Sequence, residues 1–539
     1  MDERTSNKNM DSCIMDTQES SEDEGEEITY FEESSESEPE FECETWDDCC
    51  QILPRIEGIQ TFTGRHLVPT CDNEQFVSVE KKIKLCFTLN PKLLTNDLQN
   101  IWKANLPTST ENLEVITDPF KICVVKDLLE NAALLDRLRQ ELYSINFNLR
   151  SMDLYEFFQS KDLKHLLDSD CIKMLYDFLN TDLMNWVANV TGYNLTHISA
   201  TCSLYSNTDY LLVHDDQRDD RRVAFILYLT DDSPWNIKDG GALQLLSKDK
   251  FGQPLEVVKD VLPSNNQFVF FPVASDSYHQ VAEVTNLNKY RLSINGWFHT
   301  KVPPVFEIPT YKPQKNSLYS QDYLSPQLTD IDLETWIRED YLDRDTIQLI
   351  QKHIEQDSEI CLKNYLRQEA LNEILLDLQF QDLQWKKAYP VNRYSYEIAD
   401  PLTVSYTLGR FLLLFQSVEM FKLLQSYTEL DLDSKTARMK FELQRWTPES
   451  YALLTEYDWK AKNELDLIIC FGCKNSSDVI GARTQYVVIE DEIQNALITI
   501  EPEENNMNIV YRDSARFTKY FSKQSRCQCF YMLICSYSE

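Results

Sequence analysis

The chain has 539 residues and a formal net charge of −36, with 52 Lys and Arg against 88 Asp and Glu. At ~100–200 residues per domain, this length predicts two to four domains. The acidic balance disfavours direct binding to nucleic acid, because phosphate recognition needs clustered Lys and Arg. A basic protein or basic peptide is the more natural partner.

The first residues are polar and lack the apolar segment of a secretory signal, and no run of about 18 apolar residues follows. The 15 Cys are scattered, without paired C-x-x-C motifs at the spacing of a zinc ribbon. These features predict reduced thiols, no membrane partner and residence in the cytoplasm or nucleus.

The segment 1–50 is rich in Ser and holds 19 acidic residues against 2 basic ones. Such a segment cannot bury enough apolar surface to offset the entropy lost on ordering. We expect a disordered, solvated tail. The alternative is a docking or phosphorylation segment, since several Ser stand among the acidic residues.

Apolar residues recur every three or four positions through 122–190, which predicts mostly helices there. Short segments rich in β-branched and aromatic residues follow at 222–230, 267–273 and 291–298, and each predicts a strand. Several short strands preceded by helices indicate a jelly-roll barrel buttressed by helices. We therefore expect a catalytic domain at 51–302, with its core at 195–300.

A Pro-rich linker is predicted at 303–329, followed by helical patterning to about residue 383 and strand patterning beyond it. A faint internal repeat relates 240–244 to 481–485, with similar segments after each. The repeat predicts a second barrel of the same type within 330–539, and chance similarity is the alternative.

Two of the seven His stand in a pattern that is typical of metal ligands. His214 and Asp216 are two residues apart, and residues at that spacing face the same side of an extended strand. The same periodicity favours Asp216 over Asp215. His279 follows 65 residues after His214 and offers a third ligand from another strand. Two His and one carboxylate leave coordination positions open, which suits non-haem Fe(II).

Arg291 opens the predicted strand 291–298, 12 residues after His279. A buried Arg there could form a bidentate pair with the far carboxylate of 2-oxoglutarate, and Tyr228 could add a hydrogen bond. Each residue alone would more often have a structural or surface role. The residues 219–222 are expected to form a solvated turn, and the alternative is a role at the rim of the site in substrate capture. The other histidines are expected to be structural or exposed: His66, His165, His197, His299 and His353.

Five short motifs between Tyr205 and Phe298 match one known family together. They are His214-Asp-Asp216, the segment 222–228, Gly240-Gly241, the segment 277–281 and the segment 291–299. With them, the chain resembles the ribosomal prolyl 3-hydroxylases, which are Fe(II)- and 2-oxoglutarate-dependent oxygenases. The layout of two barrels extends the resemblance over roughly residues 50–539.

The resemblance implies an α+β chain with two double-stranded β-helix (jelly-roll) domains, the second catalytically degenerate. It implies that His214, Asp216 and His279 hold Fe(II), and that Tyr228 and Arg291 bind 2-oxoglutarate. O₂ is then the oxidant and L-ascorbate a reductant. The implied substrate is a prolyl residue of a small-subunit ribosomal protein, with effects on translation in the cytoplasm and nucleus.

The second barrel departs from the family's metal pattern. The internal repeat places Thr455 and Tyr457 near the H-x-D position, Lys519 near the distal His and Phe530 near the Arg. No His follows His353, so this half cannot rebuild the triad. We expect it to serve substrate docking or stability.

Two alternatives remain open at this level. One is the same chemistry on another protein substrate, and the other is a non-enzymatic scaffold that keeps a metal site. The sequence does not determine the oligomeric state, and we expect a monomer.

Overall fold

The computed structural model describes residues 86–539 except 95–96, 219, 307–322, 433–434, 456–457, 459–463 and 491–492. All of these described residues belong to one compact unit, Phe62–Glu539. The predicted tail at 1–50, most of the predicted linker and Tyr457 lie outside them. The domain boundaries stay predictions.

Short polar caps begin many of the helices. The Asn131 side chain accepts a hydrogen bond from Leu134 N, and Ser405 does the same for Leu408 N, which satisfies free amide groups of a first turn. The α-helices of the described residues are α1 (Asp97–Ala104), α2 (Ala132–Tyr143), α3 (Asp170–Phe178), α4 (Met184–Thr191), α5 (Leu333–Trp336), α6 (Arg344–Asp357), α7 (Gln368–Leu378), α8 (Tyr406–Gln416) and α9 (Val418–Thr428). None of the described helices is long and apolar enough to span a membrane.

The first half of the described chain builds one large antiparallel sheet of 13 strands. Its strands are β1 (Thr108–Ser109), β2 (Leu113–Ile116), β3 (Ile122–Val125), β4 (Asn148–Ser151), β5 (Tyr155–Asp162), β6 (Ile198–Tyr205), β7 (Tyr210–His214), β8 (Arg221–Tyr228), β9 (Leu243–Lys248), β10 (Pro254–Val261), β11 (Gln267–Pro272), β12 (His279–Val281) and β13 (Arg291–His299). The strand order is β1-β2-β3-β11-β8-β13-β6-β5-β7-β12-β9-β10, and β4 pairs with β5.

Alternation along β8 and β11 separates two apolar layers in this half. Phe225, Phe268 and Phe270 pack with the helices α1–α4 in one core. Their neighbours Tyr228 and Phe271 belong to a second core on the opposite face. Because successive side chains of a strand point to opposite faces, one run of apolar residues fills both layers.

The second half contains a seven-stranded and a three-stranded antiparallel sheet. Its strands are β14 (Glu359–Leu362), β15 (Trp385–Lys387), β16 (Glu397–Ala399), β17 (Arg438–Trp446), β18 (Glu464–Phe471), β19 (Thr484–Glu490), β20 (Ile493–Ile500), β21 (Met507–Arg512), β22 (Ala515–Thr518) and β23 (Phe530–Ser538). The orders are β14-β21-β18-β23-β17-β16-β15 and β20-β19-β22. Residues of α6–α9 share an apolar core with the larger sheet.

The structure confirms a mixed helix-and-sheet fold and the three predicted strands, which are β8, β11 and β13. The prediction of helices through 122–190 is wrong at β3, β4 and β5. All four residues of β3 are buried, and a short apolar run is not distinguishable from a buried helix by periodicity. Strand patterning after residue 383 is likewise interrupted by α8 and α9, two helices packed into the core.

Candidate metal and co-substrate site

Two predicted metal ligands face each other across the antiparallel pair β7–β12. His279 lies opposite His214, and Val281 lies opposite Leu211, so β7 spans three residues where β12 spans two. The extra residue makes a β-bulge in β7. Such bulges bend the strand and re-aim the side chain that follows, here His214.

The Asp216 carboxylate lies beside both imidazoles, but Asp216 is not part of the strand that the spacing argument assumed. The strand β7 ends at His214, and Asp216 lies beyond it with φ of 64°, in the left-handed region. Its Oδ1 is 3.6 Å from His214 Nε2, and its Oδ2 is 3.4 Å from His279 Nε2. The assumed strand alternation is therefore wrong at this point, because a turn delivers the carboxylate.

Asp215 is turned away from both imidazoles. Its carboxylate accepts hydrogen bonds from the Gln217 backbone N at 3.0 Å and the Gln217 side chain at 2.6 Å. Its own carbonyl oxygen accepts from Ser277 Oγ at 3.1 Å. These bonds hold the turn in which Asp216 stands.

Both imidazoles have one ring nitrogen held and one presented to the carboxylate. Nδ1 of His214 is 2.8 Å from Leu212 O, and Nδ1 of His279 is 2.8 Å from Ser277 O. A carbonyl oxygen only accepts, so each Nδ1 carries the proton and each Nε2 offers a lone pair. The ligand atoms of the two His and Asp216 lie within 4.8 Å of one another, so the three residues could hold one metal ion.

The charges at this cluster are strongly coupled. Burial, together with the neighbouring His279, lowers the pKa of His214 to about 4. Burial alone would lower the pKa of His279, but the Asp216 carboxylate raises it above the ordinary value. Burial opposes ionisation of Asp216, but the two imidazoles and Arg221 hold its pKa below the usual range. An ionised carboxylate between two imidazoles is a donor set that attracts a divalent cation.

A second group, His197, Asp220 and His299, also brings two imidazoles and a carboxylate together. Its rings are stacked with centroids 4.5 Å apart and planes 10° apart, whereas the planes of His214 and His279 cross at 55°. Lone pairs in parallel planes do not converge on one ion. The His197 side chain is also 56% exposed. This second group instead ties strand ends together, through His299 Nδ1 to Asp220 at 2.6 Å.

Arg291 and Tyr228 lie together at the start of β13 and the end of β8. Arg291 is 1% exposed, and its Nη2 donates to Tyr228 Oη at 3.3 Å. Its Nη1 donates to Ser293 Oγ at 3.3 Å, and the guanidinium lies 4.9 Å from the ring centroids of Tyr205 and Tyr228. Among the described residues, its buried Nε has no hydrogen-bond partner. A buried cation with an unsatisfied donor fits an incoming carboxylate.

The segment 219–222 is not the solvated turn that its charges predicted, as far as it is described. The Arg221 guanidinium stacks 3.5 Å from the Trp297 ring centroid, and Arg222 stacks 3.9 Å from Tyr193. Asp220 is bonded to His299, and Asp219 lies outside the described residues. Trp297 and His299 lie on β13, which pairs with β8, and Tyr193 follows α4, so these contacts join segments far apart in the chain and no local pattern predicted them.

Comparison with known proteins now gives the class. Residues 200–299 match the 2OG-Fe(II) oxygenase superfamily, and residues 329–539 match the family described as the oxoglutarate and iron-dependent oxygenase degradation C-terminal domain. The protein is a 2-oxoglutarate-dependent dioxygenase, a class that uses Fe(II), 2-oxoglutarate and O₂.

Similar proteins narrow the class to a family. The chain is 34% identical to prolyl 3-hydroxylase sudestada1 of Drosophila melanogaster over 83% of this chain and 89% of that protein. It is 31% identical to prolyl 3-hydroxylase OGFOD1 of Xenopus laevis, over 83% of this chain and 92% of that one. Prolyl 3-hydroxylase OGFOD1 of Mus musculus is 31% identical, over 80% of this chain and 90% of that protein. The chain belongs to this prolyl 3-hydroxylase family.

Proposed function

We propose that this protein hydroxylates a prolyl residue in a small-subunit ribosomal protein and thereby affects translation, in the cytoplasm and nucleus. His214, Asp216 and His279 would hold Fe(II), while Arg291 and Tyr228 would bind the far carboxylate of 2-oxoglutarate. L-ascorbate would keep the metal reduced. Prolyl substrates are named for the relatives, and the net charge of −36 favours a basic substrate protein.

One observation carries the proposal. Three ligand atoms converge within 4.8 Å, in the same half of the chain as a buried Arg291 whose Nε has no partner among the described residues. A metal that chelates a keto acid and a cation that takes a second carboxylate match the two ends of 2-oxoglutarate. A buried cation without an anionic partner is destabilising. A sheet with a purely structural role would therefore not favour Arg at position 291.

The chain's own residues would orient the co-substrate, position the metal ligands and exclude water from the site. Arg291 and Tyr228 would fix the direction of the co-substrate, and the proton held at each Nδ1 keeps Nε2 of His214 and His279 free to bind the metal. Phe271 packs edge-on against His279 at 4.8 Å between centroids and keeps water from that side. When bound, Fe(II) supplies the redox chemistry that couples decarboxylation of 2-oxoglutarate to hydroxylation of the substrate.

We infer that 330–539 is a second, catalytically silent β-helix domain. The position of the H-x-D motif there holds Thr455, whose Oγ1 and N bond to Asp458. Buried ion pairs join Arg512 to Asp458 and Arg516 to Asp466. Such a network uses the carboxylates that a metal would require, which favours a supporting role.

The experiment that tests the proposal loads the full chain anaerobically with Fe(II) and 2-oxoglutarate and then adds O₂. The substrate is a basic peptide from a proline-containing loop of a small-subunit ribosomal protein, and succinate and peptide mass are measured together. We expect one added oxygen on proline. The matched controls are a peptide with Ala at that proline and a His214→Ala chain.

The other outcomes separate the alternatives. Succinate without a change of peptide mass would keep the oxygenase and overturn the ribosomal substrate. An added oxygen that persists in the Ala peptide would overturn prolyl specificity. If well-folded, iron-loaded protein gives neither signal, the non-enzymatic scaffold becomes the better account.

A further inference from the structure

We propose that Glu283 is a positioning residue, through which loops of the C-terminal half hold the strand that carries His279. The proposal rests on the metal site described under the proposed function. It concerns one face of the first sheet, at the neighbouring strands β5, β7 and β12. Side chains and backbone from 451–455, 494 and 519–524 contact this face.

Glu283 is buried at 2% exposure, and within the described part of the chain the donors to its carboxylate lie in the C-terminal half. Tyr520 Oη donates to Oε2 at 3.3 Å, and Lys523 N donates to Oε2 at 2.8 Å. Ser522 Oγ donates to Oε1 in a short bond. Three donors on one carboxylate compensate its burial, and bonds to a charged acceptor are among the strong ones.

Glu283 lies two residues after the end of β12 and four after His279. Its own backbone is fixed to the strands around it, because Gly241 N donates to Glu283 O at 3.1 Å. The next residue, Val284, donates its N to Asp209 O at 3.0 Å, just before β7 begins. A displacement of the Glu283 side chain would therefore act on the end of β12 and on the start of β7, the two strands that carry the His ligands.

The partner strand β7 is held from the same side. The rings of Tyr210 and Tyr520 lie 4.5 Å apart, and Leu212 shares a buried apolar cluster with Tyr451 and Leu453. These contacts occupy the segment of β7 that contains the bulge before His214. Both His ligands thus stand on strands that residues of the C-terminal half contact.

These contacts affect how the metal ligands are positioned. A metal site works only when its ligands are held within about 0.5 Å of the required geometry. Partners outside the ligand set that orient the ligands typically change metal affinity ~10–100-fold when they are removed. We therefore assign the C-terminal half a direct part in the geometry of the metal site, in addition to any contact with substrate.

The test compares Glu283→Gln with Asp153→Asn in the full chain. Asp153 is also a buried carboxylate held by the C-terminal half, through Gln494 and Leu454 N, but it lies before β5 and not on a strand with a ligand. Each variant is titrated with Co(II) as the probe, and affinity, the visible d–d spectrum and urea stability are recorded. Glu283→Gln should weaken Co(II) binding about tenfold and alter the spectrum.

Asp153→Asn should leave the Co(II) affinity and spectrum unchanged, even where its loss of urea stability matches that of Glu283→Gln. Ser522→Ala removes one donor from the opposite side and should weaken binding in the same direction, so it carries the test if Glu283→Gln does not fold. Folded Glu283→Gln and Ser522→Ala chains that bind Co(II) like the wild type would overturn the proposal. Co(II) binding that is unchanged in the His214→Ala variant would instead overturn the metal site itself.

Discussion

His279 stands directly opposite His214 in the β7–β12 pair, with the two ring centroids 4.1 Å apart. The side chains thus begin on neighbouring strands and converge without any rearrangement of the backbone. The carboxylate of Asp216 lies between the two Nε2 atoms, at 3.6 and 3.4 Å. Site geometry therefore depends on strand register and on the turn after β7.

The two adjacent carboxylates should behave differently. Asp216→Asn should abolish Fe(II)-dependent succinate formation and weaken Co(II) binding at least tenfold, because it removes the charged ligand. Asp215→Asn keeps a side chain that can still bond Gln217, so Co(II) binding should stay within about threefold of wild type. Equal losses in both variants would contradict the assignment of Asp216.

Arg291 should govern affinity for 2-oxoglutarate. Arg291→Gln removes a buried charge-assisted bond, which contributes ~1.5–3 kcal/mol, so KM for 2-oxoglutarate should rise about 10–100-fold. Tyr228→Phe removes one neutral hydrogen bond and should raise KM only a few-fold. The measurement is succinate formation against 2-oxoglutarate concentration. Co(II) affinity in both variants should equal that of the wild type, and an unchanged KM in Arg291→Gln would refute the role.

Only one of the two His–Asp–His groups should bind metal. A Co(II) titration should show one equivalent per chain at N/O ligands, both in wild type and in His197→Ala. The same titration of His214→Ala should show no bound Co(II). Of the two groups, the one that contains His214 has imidazole planes that cross, and the other has stacked rings. The exposed His353 provides a matched control through His353→Ala. A second equivalent that disappears in His197→Ala would contradict the stacked-ring argument.

Gly240 should be intolerant of any side chain. It has φ of +72°, and a Cβ there would lie 1.9 Å from Glu283 O, at the exit of β12. Gly240→Ala should lower the free energy of unfolding by at least about 2 kcal/mol. Gly192→Ala is the control, because its φ is +77° but nothing lies within 4 Å of the added Cβ. That variant should lose only ~1 kcal/mol in urea unfolding, and equal losses would show that clash is irrelevant.

The buried ion pairs of the C-terminal half should stabilise the protein above acid pH. Burial opposes ionisation of Asp466, but Arg516 and Arg512 lower its pKa below the ordinary value. Its stabilising contribution is therefore present above the unfolded pKa of ~3.9 and is lost as pH falls through the folded value. Asp466→Asn removes the charge that pairs with the buried Arg516 and should lower the free energy of unfolding by about 3–5 kcal/mol at pH 7.

The check on Asp466 is urea unfolding of both chains from pH 7 down to pH 3. The difference between them should be constant at neutral pH and shrink only below about pH 4. Asp357→Asn, at an exposed carboxylate beside His353, should change stability by no more than ~1 kcal/mol. A difference for Asp466→Asn that grows as the pH falls would have the wrong sign for a lowered pKa.

The sequence alone determined the residues that could carry the chemistry and the strands that hold most of them. Spacing brought His214, Asp216 and His279 into one hypothesis, and β-branched and aromatic composition predicted β8, β11 and β13, since both are local properties of the chain. The same reasoning failed at β3, where four buried residues carry no periodicity that separates strand from helix.

Only the tertiary structure decided how the ligands meet and what supports them. The bulge in β7 arises from its register with β12, and Asp216 beyond the strand has a left-handed conformation; residue spacing indicates neither feature. The bonds from 520–523 to Glu283 join residues about 240 positions apart. Contacts between distant segments depend on the packing of whole sheets. Local patterns therefore predicted the candidate ligands but not the contacts that hold them in place.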